Sequence, residues 1–269
     1  MSNIRVLMIG DLVGPAGIKM FEKHIGSLKE KYKADAIIVN GENSADNGRG
    51  ITPAIADHFF EMGVNVITTG NHIWAQKKIF PYIVSQPNLL RPANYPSKCP
   101  GSGSTIINIG AYKVAVVNLQ GRVFMREQLD DPFKTIESLL QYLKHQTDII
   151  FVDFHAETTA ETAGIALFLD GQVSAVVGTH THIQTADARV LPGGTAFMTD
   201  LGMGGSLNSM IGMKKDIMIH HLRTQMPVRF EVDLEPPYVM SGACIEVDTQ
   251  TGQALSIEAI RVVDDQGLF

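Results

Sequence analysis

Short apolar runs rich in Val and Ile recur along the first two thirds of the chain: IRVLMIG, AIIVNG, VNVITTG, STIINIG, KVAVVNL, DIIFVDF and VSAVVGT. Such runs read as strands buried on both faces. Between them, residues 16–32, 53–62, 132–145 and 160–169 carry apolar residues at helical spacing. Thr52 followed by Pro53 supplies the cap and first-turn residue of the second helix. Strand alternating with helix predicts an α/β fold. Beyond residue 190 the pattern turns strand-rich, in GTAFMTD, PVRFEVDL, SGACIEVD and LSIEAIRVV, which predicts a second sheet packed on the first. No repeat, low-complexity stretch or linker divides the 269 residues, so a single domain over 1–269 is expected.

Several functional classes are disfavoured. The start, MSNIRVLMIGDLVG, lacks the basic segment, long apolar core and cleavage site of a signal peptide. No apolar run reaches the roughly 20 residues of a membrane span, so no membrane partner is expected. The two cysteines, Cys99 and Cys244, form no CxxC pattern, which argues for a reducing, cytoplasmic compartment and against thiolate-bound zinc. The net charge of -6 and the lack of a Lys/Arg track argue against duplex nucleic acid. A small anionic substrate and a homo-oligomer remain open.

In α/β sheets, ligands gather beyond the carboxyl ends of the strands. The residues there form a pattern: Asp11 after IRVLMIG, Glu42 and Asn43 after AIIVNG, Asn71 and His72 after VNVITTG, His155 after DIIFVDF, His180 and His182 after VSAVVGT. Each alone has a plainer reading. An Asp after a strand is commonly a cap or turn former, and an isolated His a surface or hydrogen-bonded residue. On an extended backbone, His180 and His182 would share one side with Thr181 facing away. Clustered at one sheet edge, these carboxylates and imidazoles would be costly without a cation. His24, His58, His145, His220 and His221 lie away from strand ends and are assigned to structure or solvent.

Oxygen and nitrogen ligands without thiolate suit iron, manganese or zinc. The inventory exceeds one zinc site, whereas two metals roughly 3.5 to 4 Å apart with a bridging carboxylate would use it all.

The ordered set GD, GEN, GNH, a later lone His and GTHTH resembles the calcineurin-like metallophosphoesterases. Within that superfamily the chain is similar to the YmdB-type phosphodiesterases through IGDLVGPAG, NGENSADNGRGIT, TTGNHIW, LLRPANYP, GRVFM, VDFHAETTAE, GTHTHIQTAD and LPGGTAFMTDLGM, which span nearly the whole length. The first motif lacks the His common in the wider superfamily, and Glu42 stands where Asp is usual, with Asn43 able to replace the lost ligand. Both features match the YmdB-type subgroup.

The resemblance implies a four-layer α-β-β-α sandwich of two mixed sheets flanked by helices. It implies one metal on Asp11, Glu42, Asn43 and His182, and another on Glu42, Asn71, His155 and His180, with Glu42 bridging. Two divalent or mixed-valence ions are expected, iron first, with manganese or zinc as alternatives. The implied reaction is phosphoester hydrolysis, chiefly of 2',3'-cyclic and secondarily of 3',5'-cyclic nucleotides. In it a metal-bridging hydroxide attacks phosphorus, Asn71 steadies the charged oxygens, and His72, not needed as a ligand, acts as general acid. No acidic residue follows His72 closely, so Glu157 is the candidate to orient it. Segments 121–131 and 200–212 are candidate substrate walls, and Arg122 reads as an ion-pair or surface residue before a phosphate contact. The rival readings are a metal-bound regulatory or nucleotide-binding protein with little turnover, and a dinuclear hydrolase of amides or esters.

Overall fold

The computed structural model describes residues 3–269. In chain order its strands are β1 (Asn3–Ile9), β2 (Asp11–Leu12), β3 (Ala36–Asn40), β4 (Val66–Thr68), β5 (Ser104–Ile109), β6 (Tyr112–Gln120), β7 (Ile150–His155), β8 (Ala175–Thr179), β9 (Arg189–Val190), β10 (Ala196–Met198), β11 (Met203–Ser206), β12 (Tyr238–Asp248) and β13 (Ala254–Asp264). The helices are α1 (Gly14–Tyr32), α2 (Pro53–Glu61), α3 (Ile79–Ser85), α4 (Pro132–Leu143), α5 (Thr159–Phe168) and α6 (Lys215–Thr224).

One sheet runs β2-β11-β12-β1-β3-β4, with β13 also on β12; the other runs β5-β6-β7-β8-β10-β9. Both mix parallel and antiparallel pairs. Period two along each strand sorts its side chains between layers. Leu7, Ile37 and Ile67 pack outward on α1 and α2, while Val6, Ile38 and Val66 face the other sheet. In the second sheet Val116, Phe151 and Val177 face inward, and Val117, Val152 and Val176 pack on α4 and α5. The layers are therefore α-β-β-α, as the resemblance implied. Each large side chain sealed between them contributes roughly 1.5–3 kcal/mol.

Local signals set the helix ends. Thr52 accepts a hydrogen bond from the Ile55 N–H, with Pro53 next, and Asp131 caps α4 on the Phe133 and Lys134 amides. The C-terminal expectation needs correction. The second sheet starts at residue 104 instead of after 190, and β11, β12 and β13 complete the first sheet, because residues 242–248 of β12 pair with the whole of β1. PVRFEVDL is no strand. Val228 and Phe230 are half-buried and Val232 is buried, against exposed Arg229 and Glu231, but the bridge from Val232 to Met213 stands isolated. Alternation reported an extended, half-covered segment there, without the neighbour that a ladder needs. Among the described residues no helix is long and apolar enough to cross a membrane.

Candidate metal centre

The inward rows change character toward the carboxyl ends of the strands. After the apolar positions come Asn40, Thr68, Asn118, Asp153 and Thr179, all buried. Asp153 accepts hydrogen bonds from Asn40, Thr68 and Thr179, and this network forms the floor of the centre. Burial raises the Asp153 carboxyl, opposed by those hydrogen bonds and by His155. None of these floor residues was singled out from sequence. The available signal was a polar residue at an inward position of an otherwise apolar run, as in VNG, VNL and VDF.

All seven predicted ligands and His72 stand above this floor. His155 Nε2 lies 3.1 Å from Glu42 Oε1, 3.0 Å from Asn71 Oδ1 and 3.0 Å from His180 Nδ1. Ligand atoms of Glu42, His155 and His180 lie within 4.8 Å of one another, a group able to hold a metal ion. On the other side, His182 Nε2 lies 3.3 Å from Asn43 Oδ1 and 3.8 Å from Asp11 Oδ1.

Hydrogen bonding on the outer nitrogens leaves the inner ones with lone pairs when the rings are neutral. The Thr179 hydroxyl donates to Asp153, so it accepts from His155 Nδ1 at 3.0 Å. The Ile211 carbonyl accepts from His182 Nδ1 at 2.8 Å, and the Glu157 carboxylate accepts from His180 Nε2 at 2.9 Å. An outer acceptor behind each ring is how proteins orient metal-binding histidines. The Asn43 amide donates to the Gly48 carbonyl, turning its oxygen inward.

The centre is rich in acceptors. Asp11 is wholly buried, and its Oδ1 has no hydrogen-bond partner among the described residues. Burial, together with the neighbouring Glu42 and Asp200, pushes Asp11 well above the usual carboxylate range despite His155. Against the opposing effect of burial, Glu42 is held at about 2 by His155, and His155 is raised to about 9 chiefly by Glu42. Burial and His155 push His180 down to about 3. An orphaned carboxylate oxygen among inward lone pairs fits cations, and the donor set of oxygen and imidazole suits iron, manganese or zinc.

The HxH geometry differs from expectation. β8 ends at Thr179, and the chain turns with φ of 110° at His180 and 64° at His182 instead of staying extended. The turn is pinned by Asp11, which accepts from the His180 N–H, and by Asp200, which accepts from the Thr181 N–H. The two rings consequently diverge, His180 toward His155 and His182 toward Asn43. Backbone strain of this kind gathers at functional sites.

Glu157 bonds His180, so it is not the residue orienting His72. The His72 N–H donates instead to Glu42 Oε2 at 3.0 Å, and burial lowers its ring pKa. A Glu157→Gln variant is expected to weaken metal binding roughly 10- to 100-fold, as loss of an outer partner does; unchanged affinity in a metal titration would contradict that role. Gly70 is a second control on the same ring system. A Cβ there would lie 2.1 Å from His155 Cδ2 and 2.3 Å from its Nε2. Gly70→Ala is expected to weaken metal affinity by a similar factor of about 10 to 100, and wild-type affinity would show that the ring gives way freely.

Above the ligands lies a cavity of about 260 Å³ lined by Glu42, His72, His180 and His182 together with Arg49, Met213, Met218 and Phe230. Larger hollows beside Lys214 and beside α4 contain none of the eight predicted site residues. Arg49 stacks over Phe230 at 5.4 Å and went unassigned in the sequence, although it interrupts a glycine pair just after GEN. Of the candidate walls, 200–212 contributes Ile211, and 121–131 contributes nothing to this cavity. Arg122 pairs with Asp131 at 3.3 Å, the ion-pair reading. His24 bonds Asp264 and His58 bonds Glu22, away from the centre.

The family model for the YmdB-like protein matches residues 7–260. The chain is 45% identical to a 2',3'-cyclic-nucleotide 2'-phosphodiesterase of Bacillus subtilis (strain 168), over 99% of this chain and 100% of that one. Among solved structures, one described as a novel phosphatase from Mycoplasma pneumoniae matches with a TM-score of 0.92 at 36% identity, over 99% of this chain and 95% of that one. A protein from Thermus thermophilus matches with a TM-score of 0.88 at 33% identity, over 97% of this chain and 100% of that one. With a family model over almost its full length and a relative this similar end to end, the chain belongs to the YmdB-like protein family.

Proposed function

We propose that this chain is a dinuclear-metal phosphodiesterase that hydrolyses cyclic nucleotides, 2',3'-cyclic ones first and 3',5'-cyclic ones second. The observation that carries the reading is the set of three imidazoles, each engaged on its outer nitrogen: the inner nitrogens of His155 and His182 face oxygens of Glu42, Asn71, Asn43 and Asp11, and that of His180 faces His155 Nε2. Asp11, Asn43 and His182 would hold one ion and Asn71, His155 and His180 the other, with Glu42 shared. The ions when bound supply positive charge that activates water and offsets the charge of the phosphoryl oxygens.

The protein groups supply the rest. Arg49 at the cavity wall is placed to meet the anionic substrate. Asn71 presents its amide nitrogen toward His72, at 3.5 Å from Nδ1. His72 belongs to neither ligand group and lines the cavity, so it is free to give a proton to the departing alcohol oxygen. Its half-buried ring favours the neutral form, and an anionic phosphodiester beside it favours the imidazolium, so the proton is best held when substrate is present. Met213 and Met218 give the cavity an adaptable apolar wall against a base.

The relative named a cyclic-nucleotide phosphodiesterase and the phosphatase structure support phosphorus over amide or ester chemistry. The test compares metal-loaded and metal-free protein on bis-p-nitrophenyl phosphate, 2',3'-cyclic AMP and 3',5'-cyclic AMP. Metal-dependent turnover, fastest on 2',3'-cyclic AMP among the nucleotides, is expected. Binding of the nucleotide without turnover would favour the regulatory reading.

A further inference from the structure

A second group of polar side chains adjoins the centre on the side of His72. Gln120 closes β6 opposite His155 in the parallel ladder, so the two side chains share the face between the sheets. Its backbone is clamped by Asn94, which accepts from the Gln120 N–H at 3.0 Å and donates to its carbonyl at 2.8 Å. Tyr95, the next residue, stands edge-on to Trp74 at 5.8 Å, and Trp74 lies two residues beyond His72. The charge of Glu127 acts on both His72 and Tyr95.

Gln120 is wholly buried and Tyr95 is 7% exposed. Both amide atoms of Gln120, the Tyr95 hydroxyl and Oε2 of Glu127 nevertheless have no hydrogen-bond partner among the described residues. Buried polar atoms are almost always partnered, and several unpartnered ones together mark a place built for something else to bond. The metal reading uses none of them.

We propose that Tyr95, Gln120 and Glu127, which adjoin the phosphoester cavity behind His72 without lining it, form a sugar subsite that takes hydroxyl groups of the nucleoside. The inference rests on the phosphodiesterase reading above. The composition selects the ligand: a phenol, a carboxamide that donates and accepts, and a carboxylate that accepts complement uncharged hydroxyls. The Glu127 carboxylate disfavours a second phosphate. The subsite also gives LLRPANYP a function that its place outside the ligand motifs left without one.

The test measures kcat/KM of metal-loaded wild type, Tyr95→Phe and Gln120→Met on 2',3'-cyclic AMP and on bis-p-nitrophenyl phosphate, which has no sugar. The ratio of nucleotide to nitrophenyl kcat/KM is expected to fall about 10- to 100-fold in each variant, the effect of unmaking a buried hydrogen bond to substrate. An unchanged ratio overturns the subsite, whether both rates hold or both fall together, the latter being the mark of a structural or positioning role. Tyr95→Phe removes one oxygen and keeps the test decisive where Gln120→Met does not fold. A wild type inactive on both esters would instead remove the phosphodiesterase reading itself.

Discussion

Replacing Glu42 with Gln is expected to reduce bound metal to less than half of the wild-type content and to lower turnover by at least about 10³. Both carboxylate oxygens are in use: Oε1 faces His155 Nε2 at 3.1 Å, and Oε2 accepts from the His72 N–H at 3.0 Å. Glutamine keeps the shape but removes the charge, and it must turn an NH₂ either on the inward imidazole or on a backbone N–H that needs an acceptor. If Glu42 serves both ions, their electrostatic contribution of several kcal/mol is lost together, and each 1.36 kcal/mol corresponds to tenfold in rate. Elemental analysis with steady-state kinetics checks this. Full metal content with turnover within tenfold of wild type would exclude Glu42 as the shared ligand.

His72→Ala separates chemistry from metal binding. The ring lines the cavity but stands outside both ligand groups, and its backbone N–H, which bonds Glu42, survives the substitution. Metal content is therefore expected to stay at the wild-type level while kcat falls by roughly 10² to 10⁴, the usual worth of a general acid. The loss should shrink on bis-p-nitrophenyl phosphate, whose nitrophenolate leaves with little need of a proton. Equal activity on 2',3'-cyclic AMP would remove His72 from the mechanism, and loss of metal would make it a ligand.

The layered α/β architecture was legible because strands buried on both faces must be continuous and apolar, and runs such as VSAVVGT have few other uses. The clustering of the candidate ligands was legible because strand ends are fixed by those same runs, so Asp11, Glu42, Asn71, His155 and His180 could be placed at one edge without knowing the pairing. Sheet membership was not: which sheet β12 joins depends on its register with β1, and alternation alone carries no partner. The HxH geometry was also hidden, since it is set by Asp11 and Asp200 gripping successive amides from distant segments. For the same reason Glu157 was assigned to the wrong histidine; two residues beyond His155 in sequence, it reaches His180 across the turn. Arg49 and the Asp153 floor carried local signals, a cation inside a glycine pair and a carboxylate inside an apolar run, that sequence spacing alone did not single out.

The central claim is that the strand-end residues form one site for two metal ions on which phosphodiester hydrolysis depends. Its most direct test is the metal content of anaerobically purified protein, measured alongside turnover of 2',3'-cyclic AMP before chelation, after chelation and after reloading. The account predicts two ions per chain, loss of turnover with loss of metal, and recovery on reloading. Hydrolysis that persists in fully chelated protein, or a fully active protein holding one ion per chain, would contradict it.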